Sequence, residues 1–113
     1  MKRDVVPIIL KHIDELYEIL MQYKAHNFTS FETISDEDLV FQRAVLMSVG
    51  YIGELSKKLD DHIKKQHPEI NWRRLSVSRN IIFHDYDIVD MRIVATVIFR
   101  DIAILRDVLA QSE

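Results

Sequence analysis

The chain has 113 residues, 48% of them hydrophobic, with two glycines and two prolines. That suits one domain with a buried core and excludes a disordered or turn-rich all-β chain. It has no cysteine, which removes disulfide stapling and thiolate chemistry, and its formal net charge of −3 excludes a globally basic nucleic-acid binder. The spacing predicts a first helix over 4–25, with Val5, Ile9, His12, Ile13, Leu16, Leu20 and Tyr23 recurring at three- and four-residue steps. Pro7 falls in the first turn, where its missing N–H does no harm. Residues 27–33 read as a connector. Ser35 is the candidate N-cap of a second helix, with Asp36, Glu37 and Asp38 in its first turn. The stripe Leu39, Ala44 (with Val40), Met47, Tyr51, Glu54, Leu55, Leu59 and Ile63 carries that helix to about Gln66, where His67-Pro68 ends it. Gly50 and Gly53 lie inside it. Each should cost ~1 kcal/mol against alanine, so a close backbone approach is expected there. Short helices are predicted over 71–75 and 76–84, and a last long helix from an Asp90 N-cap to about Ala110.

No strand-like alternation, repeat or low-complexity tract occurs. The expected fold is all-α: a single domain over 1–113, built as an antiparallel bundle of four to five helices. Several helices are apolar on more than one side, with Val6, Ile8 and Ile19 in the first and Ile93, Val97 and Ile104 in the last. Such broad faces suit a homodimer. The opening Met1-Lys2-Arg3-Asp4 lacks the apolar core of a signal peptide, and no apolar run approaches the ~20 residues of a membrane span. A cytoplasmic protein without membrane contact is expected.

The chemistry concentrates in Arg79-Asn80-Ile81-Ile82-Phe83-His84-Asp85-Tyr86. Arginine is the side chain best matched to phosphate oxygens, and histidine is the one that exchanges protons near pH 7. Five helical steps set Arg79 and His84 about 140° apart on an ideal helix. They meet in one pocket if the helix ends or distorts between them, or if two copies face each other across a two-fold axis. Asn80 and His84, four apart, share a face, and Ile81, Ile82 and Phe83 are expected to pack inward. Ahead of this segment, from Lys57 to Arg79, seven basic residues stand against three acidic ones, a local charge of +4. Lys57, Lys58, Lys64, Lys65, Arg73 and Arg74 are thus candidate contacts to a polyanion, or simply a solvated helix face. Trp72 could stack on a base or anchor the core. His12, His26, His62, His67 and His84 are scattered, His62 and His67 are off helical ligand spacing, and no HExxH occurs, so no metal site is expected. No glycine-rich phosphate loop or GxSxG elbow occurs either.

The segment Arg79–Tyr86 resembles the RX4HXY motif of HepT-like toxins of the HEPN superfamily. Tyr51-Ile52-Gly53-Glu54 is similar to that family's Ile-Gly-Glu step, and Pro68-Glu69-Ile70-Asn71-Trp72-Arg73 to its Pro-Glu-Ile-x-Trp segment. The resemblance spans nearly the whole chain. The chain departs from the family at Asp87-Ile88, where an aromatic-Gly pair often follows the tyrosine. The resemblance implies a helical homodimer in which two Arg/His pairs line one cleft and cleave RNA without a metal ion or other cofactor. It makes Arg79 and His84 catalytic, with Asn80 in support. It also implies a toxin of a type II toxin–antitoxin system, paired with a minimal nucleotidyltransferase (MNT) antitoxin that attaches AMP to Tyr86. An alternative of a different class stays open: a non-catalytic helical partner that presents Tyr86 or a nucleotide pocket to such a nucleotidyltransferase.

Overall fold

The first helix, α1 (Val6–Gln22), buries the expected stripe of Ile9, Ile13, Leu16 and Leu20. The computed structural model describes residues 4–84 and 89–112. The helix stops three residues short of its expected end because Lys24 turns into the left-handed region at φ 57°. The Lys24 N–H donates to the Met21 carbonyl and the Ala25 N–H to that of Leu20. This paired closure satisfies the last turn and drops Ala25 into the core.

Residues 27–33, expected as a connector, instead open a helix, α2 (Phe28–Glu37). Asn27 caps it in a reciprocal pair. The Ser30 N–H donates to Asn27 Oδ1 at 2.9 Å, and the Asn27 N–H donates to Ser30 Oγ at 3.1 Å. Ser35 is therefore not an N-cap but a buried residue within α2. The cap of the next helix, α3 (Leu39–Ser56), is Asp38, whose carboxylate accepts the Phe41 N–H at 2.9 Å. Phe28 and Phe31 of α2 pack on Phe99, and Phe31 meets Phe41, which tilts against Tyr23. This aromatic cluster is what holds α2 in the fold.

The second long helix does not run to Gln66. It breaks after Ser56, where Leu59 turns into the core and Asp60 caps a separate short helix, α4 (Asp61–Gln66), by accepting the His62 N–H at 2.9 Å. The face of α3 that is buried also differs from the expected one. Phe41, Val45, Leu46, Val49 and Ile52 enter the core, whereas Val40, Met47 and Tyr51 stand 70%, 53% and 48% exposed. α3 is apolar on both sides, and periodicity alone does not say which side meets its neighbours.

The two short helices expected over 71–84 are one, α5 (Trp72–His84). Asn71 caps it by accepting the Arg74 N–H at 2.9 Å, the Ser78 hydroxyl donates back to the Leu75 carbonyl, and the helix runs through Ser76 without a break. Trp72 is an anchor: its indole N–H donates to the His67 carbonyl at 3.0 Å and its ring packs on the core. The last rod begins at the expected Asp90 cap, which accepts the Arg92 N–H. It comprises α6 (Met91–Thr96), a π-helical stretch Val97–Ile102 and α7 (Ala103–Ser112). Val97, off the expected stripe, is buried, whereas Ile93 remains exposed.

All of these elements are helical, and α3 lies at the centre, against α1, α2 and α5. The expected all-α bundle is the fold observed. Among the described residues no helix is long and apolar enough to cross a membrane.

Candidate active site

The site is built where α5 crosses α3. A Cβ on Gly53 would stand 2.7 Å from the Leu75 carbonyl oxygen and 3.1 Å from Arg79 Cβ. Only glycine lets the two backbones approach this closely, which is the packing reason its helix-weakening presence called for. The crossing sets the root of Arg79 against α3, one residue from Glu54. Arg79 Nε then pairs with Glu54 Oε2 at 2.5 Å, and both atoms are shut off from solvent. Arg79 Nη1 donates to Asn80 Oδ1 at 2.6 Å. The guanidinium is held on two sides, while the side chains of Arg79 and Glu54 remain 27% and 37% exposed.

Gly53→Ala tests this crossing. Alanine gains ~1 kcal/mol of helix propensity, but overpacking against a backbone carbonyl costs about 1–3 kcal/mol. A net loss of stability is expected in chemical denaturation, and an unchanged or higher midpoint would show that the helices can move apart freely.

α5 continues without a break through His84, its last residue. A helix end or kink between Arg79 and His84, one of the two routes by which they could meet, is therefore absent. The side chains of 81–84, and with them the His84 imidazole and the packing expected of Ile81, Ile82 and Phe83, lie outside the described residues, as does Tyr86.

The basic candidates divide by position. Lys57, Lys58, Lys65 and Arg73 are exposed. Lys57 and Lys58 line a groove of about 510 Å³ together with Val5, Ile8, Leu55 and the carboxylates of Asp60 and Asp61. Lys64 Nζ donates to the Lys57 carbonyl at 3.2 Å, tying α4 to the end of α3. Arg74 faces inward instead. Its Nε and Nη2 donate to Asp101 at 2.6 and 2.9 Å in a two-pronged pair, and Asp101 also accepts the Asn71 N–H at 3.2 Å. This hydrogen bonding raises the Arg74 pKa further above its ordinary value, so the cation persists at any ordinary pH.

Asp101 carries no motif in the sequence. Its signal was present nonetheless: a carboxylate between Val97 and Leu105, on the stripe that enters the core. It fastens the start of α5, and hence the helix carrying Arg79, to the last rod. Among the described residues no group of three or more His, Asp or Glu could hold a metal ion.

On the face of α3 leading to Glu54, Tyr51 stacks on His12 of α1 at 5.5 Å between ring centres. Residues 6–112 match the model of the family described as ribonuclease HepT-like. A protein named probable ribonuclease HepT from Thermococcus cleftensis is 37% identical over 65 residues, 58% of this chain and 59% of its own length. A candidate RNase from Caldanaerobacter subterraneus subsp. tengcongensis is 30% identical over 94 residues, 82% of this chain and 80% of its own. No solved structure matches. With nearly its entire length matched, and with Gly53 and Glu54 packed against Arg79, the chain belongs to the ribonuclease HepT-like family.

Proposed function

We propose that this protein is a metal-independent endoribonuclease, the toxin of a type II toxin–antitoxin system, acting through Arg79 and His84 at a cleft between two copies. The observation that carries the reading is the partly exposed Arg79 side chain, held by Glu54 and Asn80, in a chain whose family and relatives bear the name of ribonucleases. The unbroken α5 favours the two-copy arrangement. On one helix Arg79 and His84 diverge by about 140°, so a phosphate that needs both is best served by an arginine and a histidine from opposite copies. The exposed Val40–Met47–Tyr51 face offers apolar surface for such pairing.

The reaction follows from the side chains. The RNA 2′-oxygen attacks the adjacent phosphorus as one His84 takes its proton. The bond from phosphorus to the 5′-oxygen breaks, and that oxygen takes a proton from the second His84. Arg79 stabilises the charge growing on the non-bridging oxygens, and Asn80 keeps its guanidinium in place. The products are a 2′,3′-cyclic phosphate and a 5′-hydroxyl. DNA, lacking the 2′-hydroxyl, is not cut. Neutralisation is assigned to a minimal nucleotidyltransferase antitoxin that adds AMP to Tyr86, placing a phosphate and a base beside the cleft.

The test is incubation of purified protein with RNA and with DNA in EDTA, followed by analysis of the product ends. Cleavage of RNA alone, leaving 5′-hydroxyl ends, is expected, and His84→Ala should abolish it. Activity that disappears with EDTA, or that survives intact in His84→Ala, would sink the mechanism. Incubation with the antitoxin and ATP should add AMP to the wild type and none to Tyr86→Phe. AMP addition to a chain that never cleaves RNA would instead favour the non-catalytic partner.

A further inference from the structure

We infer that Glu54 is a positioning residue for the proposed cleavage, setting the plane of the Arg79 guanidinium; this rests on the ribonuclease reading. Three observations on different elements converge on it. The carboxylate lies against Nε, at the root of the fork, as a close ion contact with both atoms closed to water, and it limits where the end of the Arg79 side chain can swing. Asn80 holds Nη1 as well, and these two contacts, with the side-chain stem as the third point, fix the plane of the guanidinium. Glu54 follows Gly53, where α3 has no room even for a Cβ against α5, so the carboxylate is delivered from a tightly packed part of the crossing.

Between side chains 27% and 37% exposed, the ion pair adds little to stability. Its value here is geometric, because a planar fork stabilises a phosphoryl transition state only when its donors face the oxygens that gain charge. Glu54 also lowers the local positive charge, which works against RNA binding. The two effects separate rate from affinity: without the carboxylate, RNA should bind as well or better and react more slowly.

Glu54→Gln keeps the shape and removes the charge. We expect kcat on RNA to fall, by up to about 10²-fold as for misoriented catalytic groups, with KM unchanged or lower and thermal melting close to wild type. In proton–nitrogen correlation spectra, the Arg79 Nε–H signal should be shifted and slow to exchange in wild type, and should move toward those of solvent-exposed arginines in the variant. Equal kcat in variant and wild type overturns the inference, as does a loss confined to KM or matched by lost folding. In those cases wild-type cleavage still stands, and the ribonuclease reading with it. A wild type that fails to cut RNA overturns both.

Discussion

Arg79→Ala is expected to lower RNA cleavage about 10²–10³-fold, the usual effect of removing a donor aimed at developing charge, and to leave the fold close to wild type. Magnitudes decide the second half of that expectation. The substitution strands Glu54, whose Oε2 is buried under the Arg79 Nε, but the side chain is 37% exposed and removing the guanidinium that lies on Oε2 opens that oxygen to water as well. An ion pair of that exposure is worth at most about 1 kcal/mol. Arg79 also has its Cβ against Gly53, and alanine keeps that atom, so the α3–α5 crossing survives. Arg79→Lys retains the charge but not the planar fork or the Nε contact to Glu54, and should fall between the two. Initial rates on RNA, with melting curves as the control for folding, give the comparison. Cleavage undiminished in Arg79→Ala would remove the nuclease mechanism and favour the docking alternative, which has no need of that cation.

Arg74→Ala should behave in the opposite way and damage the fold first. Asp101 is 2% exposed, and Arg74 supplies two of its three hydrogen bonds. Removing the guanidinium leaves a buried carboxylate with only the Asn71 N–H, and breaking a buried pair from one side costs about 3–5 kcal/mol. Total stability for a chain of this size is itself about 5–15 kcal/mol, so the variant should unfold at markedly lower denaturant. Asp101→Asn, which removes the charge but can still accept from Asn71, should be milder. Arg73→Ala is the control: its neighbour is exposed and should change RNA affinity alone, if anything. A denaturation midpoint for Arg74→Ala equal to that of Arg73→Ala would show that Asp101 finds water or another donor. The contrast also separates the basic residues of this segment. Arg74 ties α5 to the last rod, whereas the exposed lysines and Arg73 remain the proposed RNA contacts.

Several features were legible from residue order because they are local. The α1 stripe, the Asp90 cap, the last rod and the all-α class follow from spacing and capping chemistry that act within a turn or two. The family resemblance lay in short strings whose members stay close in sequence. The errors came where local signals competed. Asn27 with Ser30 makes a capping pair without the usual Glu or Gln, so α2 read as a connector. Ser35 looked like a cap because a run of carboxylates follows it, although only Asp38 of that run performs the task.

By itself the sequence determined that this is a cysteine-free helical protein with an Arg/His motif, since those properties reside in composition and in spacing along one chain. Tertiary structure alone decided which face of α3 is buried, that Gly53 admits α5, that Glu54 pairs with Arg79 25 positions away, and that Arg74 belongs to Asp101 rather than to the surface. Each of these depends on which helix lies beside which, and an amphipathic pattern identifies a face without naming its neighbour.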